Sequence, residues 1–144
     1  KGQTIEDIVE DLMLIERMQP EMVGIGPFLP HKATPLGDEP AGDLNLTLAT
    51  IAIVRLMLPK ALLPSTTALA TLTPRGRLEG ILSGANVVMP NLSPSDVRAK
   101  YAIYENKASW GKEAAEGLQA LEAELQTIGY HIDYSRGDFD NLKQ

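Results

Sequence analysis

The residues best suited to chemistry in this chain fall in three short stretches, each following an apolar run. His31 stands between Pro30 and Lys32 in a Gly/Pro-rich loop, where an imidazole can donate to a ligand oxygen or shuttle a proton, or simply belong to a surface turn. Ser65, Thr66 and Thr67 place consecutive hydroxyls on an extended segment, so that one or two point into any cavity at its end. Such hydroxyls hydrogen-bond small polar ligands without adding charge; the structural alternative is β-favouring threonine satisfied by backbone. Met89, ahead of Pro90 and Asn91, offers a thioether that packs against an adenine edge or fills a core. Tyr101 and Tyr104, three apart, share one helix face and offer both ring and hydroxyl. Gly24 and Gly26 interrupt the apolar run before His31 and let backbone approach a ligand closely. The acid pairs Glu6/Asp7 and Glu10/Asp11 read as a solvated helix face. No Gly-rich phosphate loop, metal-ligand cluster or Ser/His/Asp constellation is present, and with only His131 as a second histidine a two-histidine metal site is not expected.

The elements that must position these groups alternate. Ile5, Ile8, Val9, Leu12 and Ile15 recur at helical spacing behind Thr4, a capping residue, with acids in the first turn. Residues 22–25 read as a buried strand. Asp43 is placed to cap a helix over 44–58 that is apolar on most faces and stops before Pro59. Residues 62–69 read as a second strand with Pro64 near its start. Thr73-Pro74 reads as a cap and first helical residue, with Gly84 closing that helix. Residues 86–90 read as a third strand, and a helix from Ser93 to about Tyr104 follows. The stripe Ala114, Leu118, Leu121, Leu125 and Ile128 predicts a final helix over 112–128, and alternating Tyr130, Ile132 and Tyr134 predict an edge strand. Strands separated by helical crossovers pair in parallel, so the expected class is α/β. Eight strand-helix units take about 250 residues. Three strands therefore make either a small open parallel sheet or part of a (β/α) barrel, with function at the carboxyl ends of the strands.

Composition narrows the classes further. The 144 residues are 44% hydrophobic and 22% charged, as in a globular domain burying roughly two thirds of its unfolded surface. A net charge of -6 without any Lys/Arg run argues against a nucleic-acid partner. No apolar stretch approaches the roughly 20 residues of a membrane span, and the first residues lack the apolar core of a secretory signal. A cytoplasmic location without membrane contact is expected, and a start without Met points to processing or a shortened chain. Cysteine is absent, so no disulfide, thiolate nucleophile or thiolate-held iron-sulfur cluster can be built from these residues.

The series Gly2-Gln3-Thr4, Met22-Val23-Gly24-Ile25-Gly26-Pro27-Phe28-Leu29-Pro30-His31, Thr34-Pro35-Leu36, Thr66-Thr67-Ala68, Gly84-Ala85-Asn86-Val87-Val88-Met89-Pro90-Asn91 and Tyr101-Ala102-Ile103-Tyr104-Glu105-Asn106-Lys107 resembles the C-terminal half of biotin-synthase-like radical S-adenosylmethionine (SAM) enzymes. Within them it is most similar to the HydE-type maturases that help assemble the H-cluster of [FeFe]-hydrogenase; methylornithine synthase is a more distant relative. The resemblance covers nearly the whole chain and implies the second half of a (β/α)8 TIM-type barrel over residues 1–108, with a C-terminal helix and tail over 109–144. It implies a parent enzyme that holds a [4Fe-4S] cluster and SAM near the barrel top and directs a 5′-deoxyadenosyl radical at a substrate held deeper. On that resemblance Met22, Tyr101 and Ile103 line the SAM pocket, while Thr66, Thr67, Met89 and Tyr104 line the substrate cavity, with His31 in the motif.

The departures from the family are equally definite. The CxxxCxxC loop that holds the catalytic cluster is absent, so this chain alone is expected to bind neither cluster nor SAM and to be inactive. Positions that carry auxiliary-cluster cysteines in some members correspond to Ser109, Gly117 and Ala120. Two readings follow: a portion of a radical SAM maturase completed by an N-terminal half-barrel, or a stand-alone half-barrel that binds a small molecule or pairs with a second copy without redox chemistry.

Overall fold

The computed structural model describes residues 2–89 and 114–139, with side chains in the last stretch from residue 117. Five helices are present among them: α1 (Ile5–Met18), α2 (Leu44–Met57), α3 (Thr67–Leu72), α4 (Gly76–Leu82) and α5 (Ala114–Gln126). The helix expected from Ser93 and the domain boundary near residue 108 lie outside the described residues.

Local chemistry sets the starts of the two long helices. Thr4 Oγ1 accepts from the Asp7 N–H at 3.2 Å, and Asp7 Oδ2 accepts from the Thr4 N–H at 2.6 Å, which is a reciprocal capping box. These bonds hold the Asp7 carboxyl below the usual carboxylate range. A depressed carboxylate contributes stability above its unfolded pKa and loses it as pH falls through the folded one. Helicity of α1 is therefore expected to drop on acidification below the ordinary Asp range, and circular dichroism of Asp7→Asn should show the step diminished. At α2, Asp43 Oδ1 accepts from the Leu46 N–H at 2.6 Å, as its position before the apolar run predicts. Asp43→Ala is expected to cost about 1 kcal/mol in urea unfolding.

Between the helices, three extended segments lie side by side in parallel. Met22 bridges Leu62, and Pro64 bridges Val87. Leu62 donates to Glu21 O at 2.8 Å while its own carbonyl accepts from Val23 at 3.0 Å; Val87 donates to Leu63 O at 3.1 Å and accepts from Ser65 at 2.8 Å. The parallel sense and the order of the three predicted strands are thus present, but no continuous strand forms among the described residues. Pro64 supplies the physical reason. Continuing the first ladder would require an N–H on residue 64, and proline has none.

Two sequence expectations need correction here. The second strand does not run to Leu69, because Thr67 begins α3 with Thr66 as its N-terminal flanking residue. Nor does Thr73-Pro74 open a helix: Thr73 donates to Leu69 O at 3.2 Å and accepts from Gly76 at 2.9 Å, closing a tight turn from which α4 starts at Gly76. Gly84, with φ +114, ends α4 as expected. There a Cβ would also lie 2.8 Å from Arg55 Cβ, because Arg55 reaches across from α2 to donate Nε to Gly84 O at 2.8 Å and Nη1 to Pro59 O at 2.9 Å.

The predicted edge strand at 130–134 is also absent. The Tyr130 N–H returns to Leu125 O at 3.0 Å, and the Ile132 N–H goes to Glu122 Oε2 at 2.8 Å. With donors committed to α5, this tail has little left to offer a neighbouring strand. The core joins α1, the segments, α2, α3, α4 and α5 through Leu12, Val23, Ile51, Val54, Leu63, Leu69, Ile81 and Leu121, of which Ile51, Leu63, Leu69 and Val54 are fully buried.

Candidate functional site

Side chains alternate across an extended segment, so the bridge pairs divide the array into two faces. Val23, Leu63 and Ser65 turn toward the helices and are buried. Ser65 confirms the direction, since its Oγ donates to Arg77 O of α4 at 2.8 Å. The opposite face carries Met22, Gly24 and Gly26 on the first segment, Leu62, Pro64 and Thr66 on the second, and Val87 and Met89 on the third. Met22 and Met89 are 47% and 59% exposed, which sets this face apart from the packed one.

Register then fixes levels on that face. Counting from the Met22–Leu62 bridge puts Gly26 beside Thr66, and a Cβ built on Gly26 would meet Thr66 Oγ1 at 3.0 Å and Cγ2 at 3.6 Å. Counting from the Pro64–Val87 bridge puts Met89 at the same level. Gly26, Thr66 and Met89 therefore share the carboxyl end of the array. Met22 does not: it lies four positions earlier, ~13 Å along the segment. It borders instead a cavity of about 680 Å³ at the amino end, with Leu62 and Val87 on one wall and Leu118, Leu121 and Leu125 of α5 on another. Sequence reasoning did not assign that cavity; the α5 leucine stripe was its one visible signal.

The other candidates separate similarly. Thr66 Oγ1 is buried without a hydrogen-bond partner among the described residues. Thr67 has left the extended segment, and its carbonyl accepts from Thr71 Oγ1 at 2.9 Å within α3. Alternation of hydroxyls therefore stops at Thr66. His31 folds onto its own loop: Nδ1 accepts from the Ala33 N–H at 3.1 Å, and the carbonyl accepts from Thr34 Oγ1 at 2.8 Å. An accepting Nδ1 leaves Nε2 as the protonated nitrogen of the neutral ring. Tyr101, Ile103, Tyr104 and Ser109 lie outside the described residues. Gly117 is buried on α5 and Ala120 is exposed. Among the described residues no cluster of His, Cys, Asp or Glu is disposed to hold a metal, and no helix is long and apolar enough to cross a membrane.

A charge-charge interaction links α5 to α4. Burial pushes the Glu124 carboxyl above its ordinary value, and Arg77, only 2% exposed on α4, pulls it partly back. A raised carboxyl makes the folded chain hold its proton more tightly than the unfolded one, so this stability is present at low pH and lost as pH rises from the ordinary Glu value through the raised one. Urea unfolding of Glu124→Gln is expected to show a flatter pH dependence across that window.

No protein-family model matches the chain. The [FeFe] hydrogenase maturase subunit HydE of Thermotoga maritima is 48% identical over 106 residues, 74% of this chain and 30% of that protein. The 3-methylornithine synthase of Methanosarcina acetivorans is 34% identical over 95 residues, 66% of this chain and 26% of that enzyme. The same enzyme of Methanosarcina barkeri is 32% identical over 129 residues, 89% of this chain and 35% of its own length. The chain thus spans about a third of the length of the curated relatives it matches. By these identities, the chain is a sequence relative of the HydE-type [FeFe]-hydrogenase maturases and, more distantly, of the 3-methylornithine synthases.

Proposed function

We propose that this chain is the C-terminal portion of a cytoplasmic HydE-type radical SAM maturase acting in [FeFe]-hydrogenase H-cluster assembly, and that it forms part of the wall of the SAM pocket and substrate cavity. The observation that carries this reading is the 48% identity to HydE over 106 residues. The parallel order of the segments supports it, because three parallel units with helical crossovers are what one side of a (β/α) barrel requires. Under this reading Tyr101 and Ile103 contact SAM and Thr66, Thr67, Met89, Tyr104 and His31 serve the substrate cavity, while Met22, at the amino end of the same face, is assigned to the wall below them rather than to the rim.

The iron-sulfur cluster of such a parent does not fit this chain's residues. Cluster iron is held by thiolates, and there is no cysteine here. The role left to these residues is to shape and dry a cavity: Met89 and Val87 contribute apolar wall, and the Thr66 hydroxyl offers one neutral donor at the carboxyl end. The first segment pairs with 62–65 along one edge only among the described residues, and an uncovered edge recruits a partner. An N-terminal half-barrel is the occupant this reading names; a second copy is the alternative occupant.

Anaerobic iron and sulfide reconstitution tests the reading. The chain alone is expected to show no cluster absorbance and no SAM binding. Mixed with a separately produced, cysteine-bearing N-terminal part of the Thermotoga maritima relative, it is expected to co-purify and restore both. Cluster absorbance from the chain alone would contradict the reading, and SAM binding by the chain alone would favour a stand-alone module.

A further inference from the structure

The outer face of α2 does not look like the solvent side of a helix. Arg55 is the one charged residue in its sequence, and that side chain is turned away, onto the carbonyls of Gly84 and Pro59. What remains outside, besides the uncharged Asn45 in the first turn, is Leu46, Ala49, Ile53 and Leu56, at steps of three, four and three. Leu46 is 39%, Ile53 43% and Leu56 80% exposed, and Ala49 is exposed as well. Alternating three- and four-residue steps are the seam of a helix that packs lengthwise on another helix.

We propose that this seam is a self-association surface, on which α2 of a second copy lies antiparallel about a two-fold axis. The seam is its own complement under that operation. Leu46 falls opposite Leu56 of the second copy, and Ala49 falls opposite Ile53, so the small residue receives the β-branched one at both inner positions. Charge agrees with the same arrangement. The seam itself has none to repel, and the end that carries Asp43 in one copy meets the end that carries Lys60 in the other, with the two helix dipoles opposed. The apolar surface also continues beyond α2: Leu14 of α1, 47% exposed, borders the same cavity as Leu46, and Leu82 is 56% exposed on α4, which packs against α2. Leu46 borders the first segment, whereas Leu56, at the other end of the seam, does not line that cavity, so a change at Leu56 separates this association from pairing through the array's edge.

Sedimentation equilibrium of the full chain across a concentration series tests it. A monomer-dimer equilibrium is expected, weakened about tenfold or more by Leu56→Glu. Because Leu56 is so exposed, circular dichroism and melting of that variant should match the parent. The chain has no native thiol, so single cysteines report register cleanly. Mixing Ala49→Cys with Ile53→Cys should give the mixed disulfide in preference to either homodisulfide. A chain that stays monomeric at every concentration, a dimer indifferent to Leu56→Glu, or preferential Ala49→Cys homodisulfide would each overturn the proposal.

Discussion

Gly76→Ala is expected to be the most damaging single-methyl change in the described residues, costing at least about 3 kcal/mol and leaving little or no cooperative unfolding transition. A Cβ on residue 76 would overlap the carbonyl oxygen of Leu69 and lie 2.5 Å from its carbon. Those are backbone atoms, so no side-chain rotation relieves the clash. The α3–α4 turn would have to open, and Leu69, which that turn presses into the core, would move with it. Gly24→Ala provides the control, because a Cβ there meets nothing within 4 Å. Urea denaturation of both variants should separate a lost or strongly shifted midpoint from a near-wild-type one.

Leu63→Ala should follow, with a loss of about 2–5 kcal/mol. Leu63 is 1% exposed on the helix-facing side of the middle segment. Its N–H donates to Asn86 Oδ1 at 2.8 Å, while its carbonyl accepts from the Asn86 and Val87 N–H groups at 2.9 and 3.1 Å. Truncation therefore leaves a cavity beneath a backbone that is held in place on both sides. Collapse into that cavity would require breaking the bridge to the third segment. Leu56→Ala removes as many atoms from a side chain that is 80% exposed, and a change within about 0.5 kcal/mol is expected of it.

What the sequence made legible was whatever depends on neighbours along the chain. Thr4 and Asp43 cap their helices because capping needs only four consecutive residues and a short acceptor. The parallel sense of the three segments follows from the helices that separate them, and it appears as the Met22–Leu62 and Pro64–Val87 bridges. What failed depended on competition or on register. Threonine favours strands on average, yet Thr67 joins α3, where its carbonyl finds Thr71. Tyr130, Ile132 and Tyr134 alternate like a strand, but Glu122 captures the Ile132 N–H first. Met22 resembles a rim residue only until the bridge to Leu62 reveals that it stands at the amino end, a fact no local pattern encodes. The Met22–His31 series carries the resemblance to the family; it does not supply these levels.

The central physical claim is that parallel register brings Gly26 and Thr66 together at the carboxyl end of the array. A nuclear Overhauser measurement between the Gly26 α-protons and the Thr66 methyl group tests it most directly, since a Cβ at residue 26 would sit 3.6 Å from that methyl carbon. A strong cross-peak, accompanied by one joining Met22 to Leu62, is the predicted result. Absence of both, or cross-peaks pairing Gly26 with Leu62 and Met22 with Thr66 as an antiparallel arrangement would give, would contradict the account.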